Sequence, residues 1–323
     1  MFKTRITEML GIKYPILCGG MQWISKADFV APVCNAGGIG FITAESFETP
    51  EDLRNEIKKM RDLTDQPFGV NISMVPEFGV PERSLQFCDV VAEEGVKVVE
   101  TAGRSPKPLM PKLKDAGITV IHKMTSIRHA ESAQKLGVDA ITLIGYGSGG
   151  HIGMDNVASF VMIPMAVSRL DIPVIAGGGV ADGKGFMGAL AMGAEAVLMG
   201  TAFFATKESP AHDAIKERLV QTKETETCLI LNSIHNPIRC VKNKLADECL
   251  ALEENNATFE EIINAVAGGK GKLAYDSGDT EISPIACGQI VGAIKEVKTV
   301  KQVIDDIVDE AGILMERLKA MTA

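Results

Sequence analysis

Up to about residue 206, short runs of Val, Ile and other apolar residues alternate with longer amphipathic stretches. The runs at 39–42, 96–100, 118–122, 138–143 and 194–199 each follow a helically spaced stretch that ends in a glycine: Gly37, Gly95, Gly117, Gly137 and Gly193. A glycine there takes the left-handed conformation that stops a helix. The runs are apolar on both faces, the pattern of parallel strands covered on both sides. Runs at 16–18, 68–71 and 174–176 fit the same role, which makes eight strands. Thr49-Pro50-Glu51-Asp52 reads as a helix start, and Ser126 and Asp182 read as caps of two further helices. Eight β/α units predict an α/β fold of the (β/α)8 TIM barrel kind. An open doubly wound sheet has the same strand count and is the alternative.

The rhythm changes after residue 206. Helical patterns at 211–223, 243–254 and 259–266 predict a second, smaller helical domain over 207–285. The barrel is expected at 1–206. An amphipathic helix near 300–321 is expected to bring the segment 286–323 back onto the barrel.

Composition narrows the classes. Of 323 residues 46% are apolar, which excludes a disordered chain. The net charge of −9 speaks against nucleic acid as a partner. No run of 18 uncharged apolar residues occurs, so no membrane insertion is expected, and the N-terminal stretch does not read as a signal peptide. The seven cysteines are odd in number with no CxxC spacing, which points to a reducing cytoplasm and to no metal site.

In a (β/α)8 barrel the chemistry sits at the carboxyl ends of the strands. Those ends carry Gly19-Gly20-Met21-Gln22, Asn71, His122-Lys123, Gly145 to Gly153, Gly177-Gly178-Gly179 and Gly200-Thr201. Glycines after the seventh and eighth strands let backbone N–H groups approach an anion, so a phosphate is expected there. Residues 145–150 match G-x-G-x-x-G, but no helix opens at Gly150 and a dinucleotide fingerprint is rejected. His151 is the one histidine inside a glycine-rich strand-end loop and is a candidate for proton transfer; a backbone-bonding loop histidine is the alternative. His122 lies within an apolar strand and reads as structural. Lys123 at a strand end would present a fixed cation to an anionic ligand or a reduced flavin. The stiff segment 75–81, with Pro76 and Pro81 around Gly79, reads as a lid or as an ordinary loop.

The pieces PILCGGMQW, NAGGIG, PFGVNISM, VIHKMT, GGHIG, AGGGVADG and LMGTAF, in that order, resemble the nitronate monooxygenase (2-nitropropane dioxygenase-like) family of FMN enzymes. That family includes NADH:quinone reductase and enoyl-acyl carrier protein reductase II branches. The resemblance spans nearly the whole chain. It implies FMN as cofactor, with Gly20, Met21 and Gln22 along the ring, Asn71 and Lys123 at its polar edge, and Gly149 and Gly150 near its reactive centre. It places the phosphate at Gly177, Gly178, Gly179, Gly200 and Thr201, and matches His151 to the catalytic histidine. The implied partners are small molecules: an alkyl nitronate with oxygen, a quinone or an enoyl thioester, with NAD(P)H as donor in the last two. A flavin-binding protein without turnover is the non-enzymatic alternative. Tyr146-Gly147-Ser148 departs from the family's usual acidic residue and Ala ahead of the Gly-His pair, which puts the substrate side in question.

Overall fold

The structure is a computed structural model that describes residues 2–74, 82–266 and 269–322. The segment expected as a lid, 75–81, lies outside the described residues. In chain order the elements are α1 (Arg5–Leu10), β1 (Ile16–Cys18), α2 (Ala27–Asn35), β2 (Ile39–Thr43), α3 (Pro50–Leu63), β3 (Gly69–Met74), α4 (Glu82–Glu93), β4 (Val98–Gly103), α5 (Met110–Asp115), β5 (Thr119–Met124), α6 (Ile127–Lys135) and β6 (Ala140–Ile144). There follow β7 (Gly150–His151), α7 (Ser159–Val167), β8 (Val174–Gly177), α8 (Gly183–Ala191), β9 (Ala196–Met199), α9 (Thr201–Phe204), α10 (Asp213–Gln221), β10 (Thr227–Ile230), β11 (Ile238–Val241), α11 (Lys244–Glu254), α12 (Phe259–Val266), α13 (Lys270–Ser277) and α14 (Val300–Thr322).

Eight of these strands, in the order β1-β2-β3-β4-β5-β6-β8-β9, close into a parallel barrel. Closure excludes the open doubly wound sheet. The eight are the runs legible in the sequence, and the five glycines ahead of them all take positive φ. Thr49, Ser126 and Asp182 cap α3, α6 and α8 through their side-chain oxygens.

The lumen is filled by Leu17, Phe41, Val98, Ile121, Ala140, Ile175, Ala196 and Leu198, with Ile6, Leu10 and Ile12 from α1 and its exit packed against them. In a strand, residues two apart share a face. Two positions further along β2 to β6 therefore stand Thr43, Asn71, Glu100, Lys123 and Thr142, a polar layer above the apolar one. This layer forms the floor of the catalytic end.

The region after β9 differs from the sequence expectation in one respect. It is not helical alone: β10 and β11 form an antiparallel hairpin, and β11 pairs with β7 to make a three-stranded sheet. Ile230, Leu231, Cys240, Ala246, Cys249 and Ile262 form its own small core. The excursion leaves and rejoins the barrel at one point, where Lys207 N–H donates to Lys298 O at 2.9 Å. Beyond it α14 lies against α8 and α2, in the outer ring of helices. Gly183 makes this close approach possible, since a Cβ there would lie 2.7 Å from Ala311 N. The Gly183 N–H donates to Glu310 Oε2 at 2.7 Å. No described helix is long and apolar enough to cross a membrane.

Candidate active site

Gly20, Met21, Gln22, Lys123, Gly177, Gly178, Gly179, Gly200 and Thr201 stand at or just beyond the carboxyl ends of barrel strands; Asn71 lies within β3, and Gly149, Gly150 and His151 follow β6 at a distance, the last two in β7. The structure joins several of them directly. Asn71 and Glu100 are side by side in register on β3 and β4. Asn71 Nδ2 donates to Glu100 Oε2 at 2.6 Å, and Lys123 Nζ lies 2.7 Å from the same oxygen. Asn71 Oδ1 accepts from Ser73 Oγ at 3.1 Å, so both ends of the amide are oriented. Gly20 has no room for a side chain because Asn71 Cγ would lie 2.5 Å from its Cβ. Met21 reaches across to β9, its Sδ 3.7 Å from where a Gly200 Cβ would stand. Gln22 is exposed at the rim, with Nε2 3.5 Å from Glu45 O.

The glycines divide into two groups. Gly149 and Gly178 are packing glycines: a Cβ would lie 2.6 Å from Cys287 C in the first case and collide with Ser148 Oγ in the second. Gly177 is likewise hemmed in, 2.9 Å from Leu143 O. A Cβ at Gly150 or Gly179 meets nothing within 4 Å, and at Gly200 it meets only Met21. These three border open space. The N–H groups of Gly179 and Gly200 donate to no backbone carbonyl among the described residues. Thr201 Oγ1 accepts from Gly288 N–H at 2.9 Å, which leaves its own O–H free to donate.

His151 ends β7 and pairs with Ile238 of β11. Among the described residues no hydrogen bond ties its ring to the Asn71–Glu100–Lys123 group. The residue is exposed at the surface, while the protein packed around the ring lowers its pKa from the ordinary 6.5. The imidazole is accordingly neutral at neutral pH. The next residues cross β5: a Cβ on Gly153 would collide with Thr125 Oγ1, one residue past the end of that strand. His122 is structural, 3% exposed, with Nδ1 2.8 Å from Thr101 Oγ1 and its pKa lowered to about 4 by burial.

Three groups escaped the sequence reading. Glu100 is wholly buried and bridges two of the expected cofactor residues. Glu45, just past β2, accepts from Ser73 N–H at 2.7 Å; burial pushes its pKa up to about 7. Arg239 is buried, donates Nε and Nη2 to Tyr146 O at 3.2 and 3.1 Å, and stacks on the Tyr146 ring. It pairs in register with Gly150 and so anchors the glycine-rich loop before His151.

A closed parallel barrel with a layer of polar residues toward the carboxyl ends of its strands has the architecture of a barrel enzyme. The profile of the nitronate monooxygenase family matches residues 3–78 and 75–310, and the chain belongs to this oxidoreductase family. It is 31% identical to (3aS,4S,5R,7aS)-5-hydroxy-7a-methyl-1-oxo-octahydro-1H-indene-4-carboxyl-CoA dehydrogenase of Rhodococcus jostii (strain RHA1), over 99% of each chain. It is 30% identical to a probable nitronate monooxygenase of Staphylococcus aureus (strain JH9), over 89% of this chain and 91% of the other. Among solved structures FabK from Thermotoga maritima superposes with a TM-score of 0.92 and 37% identity, over 99% of this chain and 100% of that one. The nitroalkane oxidase of Streptomyces ansochromogenes, at 24% identity and a TM-score of 0.82 over 97% of this chain and 99% of that one, shares the fold.

Proposed function

We propose that the chain is an FMN-dependent oxidoreductase that oxidises alkyl nitronates with oxygen. The observation that carries the cofactor is the set of buried polar atoms left without partners above the lumen. Thr43 Oγ1, Glu100 Oε1 and Thr142 Oγ1 are buried and unbonded. Gly150, Gly179 and Gly200, which follow strands of the same barrel, each leave open space where a side chain would stand, Gly200 meeting only Met21. Orphaned buried polar atoms are uncommon in native proteins and point to a missing partner. The residues therefore fit a ligand with a polar ring edge and one phosphate.

FMN, when bound, supplies electron transfer in one- and two-electron steps. The rest falls to this chain. Gly179, Gly200 and Thr201 would hold the phosphate with backbone N–H groups and one hydroxyl. Asn71 Oδ1 and the Lys123 ammonium would hold the ring's polar edge. Arg239 keeps the 145–150 loop seated, and Met21 closes the gap between the ends of β1 and β9. His151 would take a proton on a ring nitrogen from a carbon acid above the ring, since its lowered pKa keeps the imidazole neutral.

A second reading, an acyl or enoyl thioester as substrate, is favoured by the full-length match to the Rhodococcus CoA dehydrogenase and by the 37% identity to FabK. One panel separates the two. The FMN-loaded protein is mixed anaerobically with NADH or NADPH while the flavin absorbance is followed, and then offered propyl nitronate with oxygen, a benzoquinone or crotonyl-CoA. Nitronate-dependent oxygen uptake without nucleotide oxidation supports the first reading. Nucleotide-driven bleaching reversed by crotonyl-CoA supports the second, and reversal by the quinone alone would sink both.

A further inference from the structure

Glu100 is where two of the cofactor residues converge. It is 0% exposed, and Oε2 receives both the Asn71 amide and the Lys123 ammonium. The barrel geometry enforces the meeting. Asn71 and Glu100 are partners across β3 and β4, Glu100 pairs with Ile121 on β5, and Lys123 stands two residues further on the same inward face. We propose that Glu100 is a positioning residue that neutralises the Lys123 ammonium within the cofactor site and so makes bound FMN harder to reduce than Lys123 alone would make it.

The inference rests on the FMN reading given above. A reduced flavin carries negative charge near N1, and a lone cation beside it would favour the reduced form. A carboxylate 2.7 Å from that cation, in a position shielded from water, opposes the effect. Three other titratable groups act on this region, among them His122, which stands next to Lys123 and whose pKa burial lowers to about 4. Glu45 has its pKa raised to about 7 and is only partly charged at neutral pH, and burial keeps the Cys18 thiol protonated. Glu100 also fixes the amide of Asn71: with Nδ2 committed, Oδ1, which accepts from Ser73 Oγ, keeps a second lone pair to face a ring N–H.

The test compares the two-electron potential of FMN bound to the wild type, to Glu100→Gln and to Glu100→Asp. Gln keeps an oxygen that can accept both hydrogen bonds and removes only the charge; Asp keeps the charge. In E100Q the affinity for reduced FMN relative to oxidised FMN is expected to rise at least tenfold, which is a positive shift of ~30 mV for a two-electron couple. E100D is expected to stay near the wild type. An E100Q potential equal to that of the wild type would overturn the role of Glu100 while leaving FMN binding intact. A wild-type chain that takes up no FMN would remove the cofactor reading and this inference with it. Glu100→Thr serves as a second neutral variant. If E100D folds and neither neutral variant does, the carboxylate serves barrel stability and the proposal is overturned.

Discussion

The Thr201 hydroxyl oxygen accepts a 2.9 Å hydrogen bond from the Gly288 N–H and so ties the end of β9 to a segment that lies ahead of the C-terminal helix. The same short stretch carries Gly200, one of the three glycines that border open space. Structural support and the expected phosphate position thus share two consecutive residues.

Replacing Gly200 by Leu is expected to abolish FMN retention with little loss of stability. Its φ of −115° suits any residue, and a Cβ there meets only Met21 Sδ. Gly178→Ala is expected to behave in the opposite way. Its φ of +75° costs an L-residue roughly 1–2 kcal/mol, and the new methyl collides with Ser148. Thermal melts and FMN titration on both variants check this. Loss of FMN from the Gly178 variant alone would move the phosphate site.

His151→Asn is expected to retain FMN and to lose ~10²–10⁴ in the rate of proton abstraction from a nitroalkane. Burial lowers the His151 pKa, so the acidic limb of the wild-type profile, where protonation removes the base, is expected to break below 6.5 and to be absent in the variant. Oxidation of a preformed nitronate needs no such proton transfer and is expected to fall less. Rate against pH for both substrates is the measurement. A wild-type inflection above 6.5 would show that another group titrates.

Glu45 gives a stability test with a definite sign. Its pKa is raised from 4.5 to about 7 in the folded chain, so the folded state binds this proton more tightly than the unfolded one. That contribution is fully present below pH 4.5 and is lost as pH rises through about 7. Glu45→Gln is expected to melt above the wild type at pH 8 and to lose that advantage at pH 4. Melting curves at the two pH values decide it, and an advantage of equal size at both would contradict the buried-carboxyl account.

Cys228 is expected to be alkylated first when the native protein meets iodoacetamide at neutral pH. It is half-buried, and a hydrogen bond from the Cys240 thiol lowers its pKa. Cys34, Cys88 and Cys287 are buried with thiols pushed up to about 12. The thiolate is the reacting form, which sets the order. Peptide mapping after a brief pulse reads it directly, and prior labelling of any buried cysteine would show that the region opens.

Glu100 shows why part of the site was legible in the sequence and part was not. Strands buried on both faces, such as β4 with Val98 and Val99 both buried, carry no alternation, so the residues that point into the lumen cannot be told from those that point at the helices. Asn71 and Lys123 stood out by chemistry alone. Thr43, Glu100 and Thr142 needed the register. The strands β10 and β11 were missed for a related reason. Each is four residues long, and the sheet depends on pairing with β7, far back along the chain. The caps at Thr49, Ser126 and Asp182 were readable because a cap is settled within a few residues.

The bond from Lys207 N–H to Lys298 O means that the chain returns from its excursion to the place it left. An excursion of this form is expected to tolerate exchange as a cassette. Its length can change at a cost that grows only with the logarithm of the number of residues, because the barrel fixes where both ends sit. Through Arg239 beside Gly150, and Gly288 on Thr201, this cassette also roofs the catalytic end. Exchange of the roof for another would change what enters above a floor of Asn71, Glu100 and Lys123 that stays the same, and chimeras cut at these two lysines are a route to new substrates on one barrel.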